Sequence, residues 1–451
     1  MQVGNPGGVL RRRSIRALLA AGLAIISAAL AAPLDAVPVH RTGAGRAIGT
    51  NAFPAFSRQT GLACSSCHFQ KYPALTRFGR GFAAAGYTRM GPQETVNGER
   101  LSLPIALNAS IFVKIRYQKT NGTDVPGERT TNAGELQFPD ELAVLLGGRV
   151  SDHIGFVIEG SLAGGASPLV RGFKMPFSFK LGSGLRANAI PFSTDALGAA
   201  YGFELLNTGA VSHVRVNENR GAISAQQYIG TATAAEGVAF VLADARWFVN
   251  VTAWSPNHFA AASGVANGSP TALYVRGAFT PVVGNWDLAV GVQSWSGSAA
   301  TANAAGTGVD EFETTALAFD AQAQGAVRGL PLGLYFTHGQ SGASRPAANR
   351  NLFNSRERGR SASTVTAELG VTKNPRVTLV GAYRDADNGR TAASSADNAF
   401  TLAVNLMVAQ NVGLHWTFSR YTGGAYAAGQ DPWHPGGSGN TLHTFLLSAG
   451  F

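Results

Sequence analysis

From about residue 100 onward the chain alternates. Leu107, Ala109, Ile111, Val113, Ile115 and Tyr117 occupy every second position, with Asn108, Ser110, Phe112, Lys114, Arg116 and Gln118 between them. A period of two marks a strand with one apolar face and one largely polar face. A single run of this kind fits a soluble sandwich as well as a membrane barrel. The connections say more. Tight turns lie near Val150-Ser151-Asp152-His153, Ala243-Asp244-Ala245, Val283-Gly284-Asn285, Arg328-Gly329-Leu330, Lys373-Asn374-Pro375 and Ala409-Gln410-Asn411. They alternate with long segments rich in Gly, Ala, Ser, Thr and Asn, at roughly 119–134, 217–234, 255–270, 297–313, 340–361, 386–396 and 421–439. Short turns on one side and long loops on the other are the pattern of outer-membrane barrels. The stretch Thr441 to Phe451 reads as a last strand, with Phe445, Leu447, Ala449 and Phe451 on one face, closing on the first. The expected fold is therefore all-β: over 101–451, an outer-membrane β-barrel of about 16 antiparallel strands, its outer face against membrane lipid. That count treats roughly 165–198 as one long connection, a candidate to fold into the pore; two further strands there would make 18.

The first hundred residues do not alternate. Arg11, Arg12, Arg13 and Arg16 precede Ala17 to Ala32, almost all small or apolar, and then Pro33 and Asp35. A basic region, a short apolar region and small residues make a secretory signal, expected over 1–36 and cleaved after Ala31 or Ala36. Beyond it no run of 18 or more apolar residues occurs, which excludes spanning helices. Composition narrows the class further. With 45% hydrophobic and 14% charged residues the chain is not a disordered one. Four units of its net charge of +10 sit in those arginines, and no dense Lys/Arg run follows, so nucleic acid is not an expected partner.

Only two cysteines occur, in Cys64-Ser65-Ser66-Cys67-His68. C-x-x-C-H is the attachment pattern of c-type haem. Each thiol adds to one vinyl group of the porphyrin, and the following histidine falls beneath the ring as proximal iron ligand. A thioredoxin-like pair would adjoin a βαβ pattern, which is not visible, and a zinc site needs about four ligands. One covalent haem c is expected, held by Cys64 and Cys67 with His68 on the iron. Met90 is the candidate distal ligand, being the methionine nearest the motif. His40 is its rival, an open or water-bound position is a third option, and Met90 beside Gly91-Pro92 also reads as the start of a loop.

Residues 37–100 are expected to form a small α-helical cytochrome segment. Phe53, Phe56, Phe69, Tyr72, Phe78, Phe82 and Tyr87 give it aromatic density, suited to a porphyrin or to an ordinary small core. The spacing predicts a short helix over Thr76 to Ala85, with Phe78 and Phe82 on one face and Gly86 ending it. Arg58, Lys71, Arg77 and Arg80 are candidates to pair with haem propionates, and each also reads as a plain surface charge. A unit this small is marginal alone, so it is expected to dock against the rest of the chain.

The stretch Pro54-Ala55-Phe56-Ser57-Arg58-Gln59-Thr60-Gly61-Leu62-Ala63 leading into the motif, with Tyr72-Pro73-Ala74-Leu75-Thr76-Arg77-Phe78-Gly79-Arg80 and Gly86-Tyr87 after it, resembles the fused monohaem cytochrome–porins of the bacterial outer membrane. The best-known members of that family are iron(II) oxidases. The resemblance implies extracellular electron transfer: Fe(II) outside the cell reduces the haem, and the electron passes to a periplasmic carrier. It places the attaching pair and proximal ligand on Cys64, Cys67 and His68, and brings no firm motif for Met90. Two alternatives stay open. One is an electron conduit for another donor or acceptor; the other is a diffusion porin with a haem-bearing plug. In the expected outer loops, Asp310, Glu311 and Glu313 form one acidic cluster, and Asp431 with His434 another site, that would attract Fe(II); a solvated loop is the plainer reading of each.

Overall fold

The computed structural model describes residues 54–99, 101–122, 131–163, 169–209, 224–258, 270–302, 308–345, 350–371, 377–427 and 439–451. The expected signal over 1–36, His40, Phe53, Asp431 and His434 lie outside them. Three short helices come first: α1 (Pro54–Thr60), α2 (Cys64–Cys67) and α3 (Arg77–Ala84). A small hairpin follows, β1 (Thr95–Gly98) with β2 (Leu101–Pro104), paired only to itself. The expected domain boundary near 100 falls in this hairpin, and the wall begins at β3 (Ala109–Thr120).

The wall continues through β4 (Glu135–Arg149), β5 (Gly155–Ala163), β6 (Val170–Lys174), β7 (Phe177–Leu181) and β8 (Leu185–Thr194). After helix α4 (Ala225–Tyr228) come β9 (Ala235–Ala243), β10 (Trp247–Ser255), β11 (Ala272–Phe279), β12 (Val282–Val283) and β13 (Trp286–Ala302). Then follow β14 (Val309–Glu313), β15 (Ala316–Val327), β16 (Leu330–Ser341), β17 (Arg360–Gly370) and β18 (Val377–Asp387). The last are β19 (Asn398–Ala409), β20 (Val412–Thr422) and β21 (Thr441–Gly450). Three wall strands are interrupted: β6 with β7, β11 with β12, and β14 with β15 each act as one. The result is a closed antiparallel barrel of 16 strands.

Closure occurs where the sequence placed it. β21 pairs with β3 from Leu442↔Thr120 to Gly450↔Phe112, and Phe451 exchanges backbone hydrogen bonds with Ile111. The alternation decides which side faces out. On β3 the inward residues Ser110, Lys114, Arg116, Gln118 and Thr120 are buried. On β21 the outward Phe445 and Phe451 are 51% and 55% exposed. Phe240, Val249, Phe279, Phe319, Phe400, Leu402 and Leu414 join them outside. Apolar outside and polar inside is the reverse of a soluble barrel and is what a lipid surround requires.

The expected number of strands stands, but the long connection is displaced. Residues 165–198 are not one connection: they carry β6, β7 and β8. Among the described residues, the stretch without a wall strand lies instead between β8 and β9, at 195–209 and 224–234. Its described parts do fold inward. Leu205, Leu206, Asn207, Thr208, Tyr228 and Ile229 are buried. Thr208 donates to Asp320 on β15 (2.9 Å), Thr337 on β16 donates to the Thr208 carbonyl (3.1 Å), and Tyr228 donates to Asp397 (2.9 Å). An aromatic cluster fills the space beside this loop: Phe192, Trp254, Tyr274, Trp295 and Phe353, with Tyr201 packed against it.

The N-terminal helices form a plug in the lumen. Arg80 pairs with Asp287 at the start of β13 (2.7 Å). Lys71 faces Glu368 on β17 (3.8 Å), and Gln70 donates to the Glu368 carbonyl (3.1 Å). Arg149 at the end of β4 donates to the Thr88 carbonyl (3.3 Å). Gly155 at the start of β5 lies so close to the Gly86 carbonyl that a Cβ would collide with it. All these wall positions lie towards the tight-turn rim, which faces the periplasm in outer-membrane barrels.

Candidate functional site

One turn of helix in α2 brings Cys64 and Cys67 to the same face, as residues three apart must be. His68 then leaves the helix in extended conformation, its N–H bonded to the Cys64 carbonyl (3.0 Å), and pairs with Leu75 across a short bridge. Thr76 fixes the next step. Its N–H donates to the Cys67 carbonyl (2.9 Å) and its hydroxyl donates to Ser66 (2.9 Å). The same hydroxyl accepts from the Gly79 N–H (3.1 Å), capping α3. α3 runs from Arg77 to Ala84 and stops at Gly86, at φ +69°, as the sequence predicts. A side chain at Gly79 would run into the Cys67 carbonyl, so that glycine lets α3 lie on the motif.

The two thiols and the imidazole line one cavity. From the plug come Phe56, Tyr72, Leu75, Phe82 and Tyr87. Phe56 stacks on Tyr87 (5.1 Å, 9°), and Phe82 meets both edge-on. The wall adds Leu145, Val157, Glu159 and Lys174; the inward loop adds Tyr201, Glu204, Leu205, Leu206 and Asn207. Asn207 ties these parts together. Its side chain accepts from the Leu75 N–H (2.6 Å) and donates to the Leu75 carbonyl (3.3 Å), while its own N–H donates to Gln322 on β15 (2.9 Å).

The electrostatics bear on the chemistry. Burial pushes the Cys67 thiol up to about 11, with Cys64 adding to the rise and Arg89 opposing it. A reactive redox cysteine needs the opposite shift, so Cys67 is not poised as a thiolate nucleophile, and no disulfide joins it to Cys64. Burial lowers His68 to about 4, against weaker opposing hydrogen bonds to the Ala74 and Pro73 backbone. It is neutral at pH 7, the form that ligates metals. Its buried Nδ1 has no well-formed hydrogen-bond partner. Two thiols, a neutral imidazole, flat aromatic walls and one cation, Lys174, are a set that fits a c-type haem. Among the described residues no group of three or more His, Cys, Asp or Glu is placed to hold a bare metal ion.

Other sequence candidates are placed elsewhere. Met90 does not line this cavity; it lines a groove on the far side of α3, with Phe78 and Arg89. Arg58, Lys71, Arg77 and Arg80 do not line the cavity either. Lys71 and Arg80 anchor the plug, Arg58 donates to the Ala109 carbonyl (2.5 Å), and Arg77 is exposed. Phe78 and Phe82 do share a face of α3, lining that groove together, though only Phe82 also reaches the cavity. Asp310 is paired with Arg350 (2.9 Å) at a half-exposed position on β14. Sequence reading missed Lys174, Glu159, Tyr201 and Asn207, which come from distant elements. In the fold the Lys174 ammonium lies over the rings of both Tyr87 and Tyr201 (5.8 and 4.6 Å), contacts that form only when distant elements meet.

No family model matches the sequence, and a search of curated proteins also finds no match. Solved structures do resemble it. The outer membrane channel DcaP of Acinetobacter baumannii is 12% identical, covering 76% of this chain and 97% of its own, with a TM-score of 0.47. OmpT of Vibrio cholerae is 9% identical over 79% and 100%, with a TM-score of 0.43. A BenF-like porin from Pseudomonas fluorescens Pf-5 is 11% identical over 76% and 98%, with a TM-score of 0.39. The likeness is one of barrel architecture. The lipid-facing apolar band, the tight turns at one rim and the closed ring of strands make this chain a 16-stranded β-barrel of the bacterial outer membrane.

Proposed function

We propose that this barrel is an electron-transfer protein that oxidises extracellular Fe(II) and passes single electrons to a periplasmic carrier. Cys64 and Cys67 would attach one haem c, and His68 would ligate its iron. The observation that carries this reading is the convergence of both thiols and the buried neutral imidazole on one cavity inside the lumen. A haem bound there supplies a one-electron Fe(III)/Fe(II) couple. Each Fe(II) outside gives up one electron and becomes Fe(III), and no proton moves. The chain's own residues hold and shield the group. Phe56, Phe82 and Tyr87 exclude water, and Lys174 offers a cation to a propionate. Tyr201 continues from the cavity into the aromatic cluster of Trp254, Tyr274 and Trp295, which lies towards the long-loop ends of β10, β11 and β13. Met90 has no part in this assignment.

Plug, inward loop and aromatic cluster lie inside the barrel, and inward-facing residues such as Gln118, Asp320, Thr366 and Thr444 are buried, which favours electron transfer over diffusion of solutes. The test is a haem stain of the denatured protein, followed by stopped-flow mixing of the oxidised, detergent-purified protein with Fe(II). A covalent stain and a ferrous c-type spectrum are expected. The double substitution Cys64→Ala, Cys67→Ala is expected to abolish the stain while the barrel keeps its heat-modifiable migration on gels. A haem that dithionite reduces and Fe(II) does not removes iron as the donor. Absence of any stain overturns the reading, and solute flux through reconstituted protein would then favour a plugged porin.

A further inference from the structure

The far side of α3 carries a second feature. Between α3 and the tight-turn rim lies a groove floored by Phe78, Phe82 and Met90. Four cationic side chains surround it: Arg89, Arg149, Lys180 and Arg186. The acid among its lining residues, Asp152, is already paired with Arg149. No acid among the described residues pairs with Arg89, Lys180 or Arg186. Phe78 is 37% exposed although it is a large apolar ring, and Arg89 lies 5.0 Å over its face.

The cations do not face lipid. Lys180 shares the inward side of β7 with buried Ser178, and Arg186 shares that of β8 with buried Asn188. Arg149 follows Ala143 and Leu145 on the inward side of β4. The groove therefore opens at the periplasmic mouth, into water. It is also one side chain away from the site: Phe82 lines both the groove and the cavity of Cys64, Cys67 and His68.

We propose that this groove is the docking site of an acidic, soluble electron-accepting protein. An apolar floor inside a cationic ring matches an exposed redox centre inside an acidic one, and opposite charges speed encounter and fix its orientation. Docking there puts the partner against Phe82, across which one electron leaves the reduced protein for the oxidised partner. The assignment rests on the electron-transfer reading above and adds the partner's charge and its landing place.

The test uses the haem-bearing protein in detergent and two forms of one small probe: an ordinary basic cytochrome c, and the same cytochrome succinylated on its lysines. Calorimetry measures binding, and stopped-flow measures oxidation of the dithionite-reduced protein by each ferric probe. At low ionic strength the succinylated form is expected to bind and react at least about tenfold better, the gap closing as salt is added. The triple substitution Arg89→Glu, Lys180→Glu, Arg186→Glu, all at the groove rim, is expected to reverse that preference. Oxidation by a small neutral quinone should be unchanged in the same variant. A haem-bearing protein that treats both probes alike, or a triple variant with the original preference, overturns the docking site alone. A protein without covalent haem overturns the electron-transfer reading, and the acceptor with it.

Discussion

Two pieces of chain that are not wall lie inside this barrel, and they meet it with opposite arrangements of charge. The plug brings cations to acids on the wall: Arg80 to Asp287, and Lys71 to Glu368. The inward loop brings an acid to a cation on the wall. Glu204 meets Arg276 (2.9 Å), which also takes Asp320 through two hydrogen bonds (2.6 and 3.1 Å). In an ordinary porin the polar inner face serves water. Here much of it serves the protein's own chain, acids under the plug and Arg276 under the inward loop.

The largest break in that comparison comes from removing a wall acid under the plug. Asp287→Ala leaves the Arg80 guanidinium buried without its carboxylate, a loss of about 3–5 kcal/mol for a buried pair. Limited proteolysis should then cut within 54–93 while the strands stay resistant. The double variant Arg80→Met, Asp287→Leu should recover most of the protection, because an apolar pair leaves no stranded charge. If the single variant is cut no faster than the parent, the salt bridge does not hold the plug.

The loop should respond to pH instead. One guanidinium serves two carboxylates, and Asp320 has the paired contact with help from Gln293 (2.9 Å) and Thr208 (2.9 Å). Burial raises Glu204 to about 7, Arg276 opposing the rise and Asp320 adding to it. A carboxyl with a raised folded value keeps its proton in the docked loop while the free chain loses it near 4.5. Docking is therefore strongest below that value and weakens as pH rises through 7, by about 3 kcal/mol at most. Hydrogen exchange of residues 203–209, corrected for intrinsic rate, should show faster opening at pH 8 than at pH 5. Glu204→Gln, which mimics the protonated form, should remove the difference; if it persists in that variant, another group is responsible.

The wall was legible because each strand separates lipid from a polar interior, so its alternation is written residue by residue. Where that failed, local chemistry explains it. β6 and β7 form one strand broken at Met175-Pro176, and β8 carries Pro191, so 165–198 looked like a connection. Cys64, Cys67 and His68 were legible as a group because they are adjacent in sequence, and one turn of helix brings both thiols and the imidazole to one cavity. The rest of the cavity was not. Lys174, Tyr201 and Asn207 reach it from more than a hundred residues away, through closure of the barrel and the inward loop. Nearness in sequence points to Met90, and the chain leaving α3 puts it in the groove instead.

The smallest expected effect tests the joint between motif and plug. Thr76 is the one side chain that both caps α3, through the Gly79 N–H, and ties it to α2, through the Ser66 carbonyl. Thr76→Ala removes both bonds and should cost about 1 kcal/mol, the usual scale of a lost cap. Because wall contacts at Lys71 and Arg80 still hold the plug, the loss should stay local. Amides of residues 79–82 should exchange several-fold faster, with the strands unchanged. Thr76→Ser keeps the hydroxyl and should behave like the parent. Equal exchange in the alanine and serine variants would mean that α3 is held by the wall and not by its cap, making the plug as dependent on the barrel as the inward loop is.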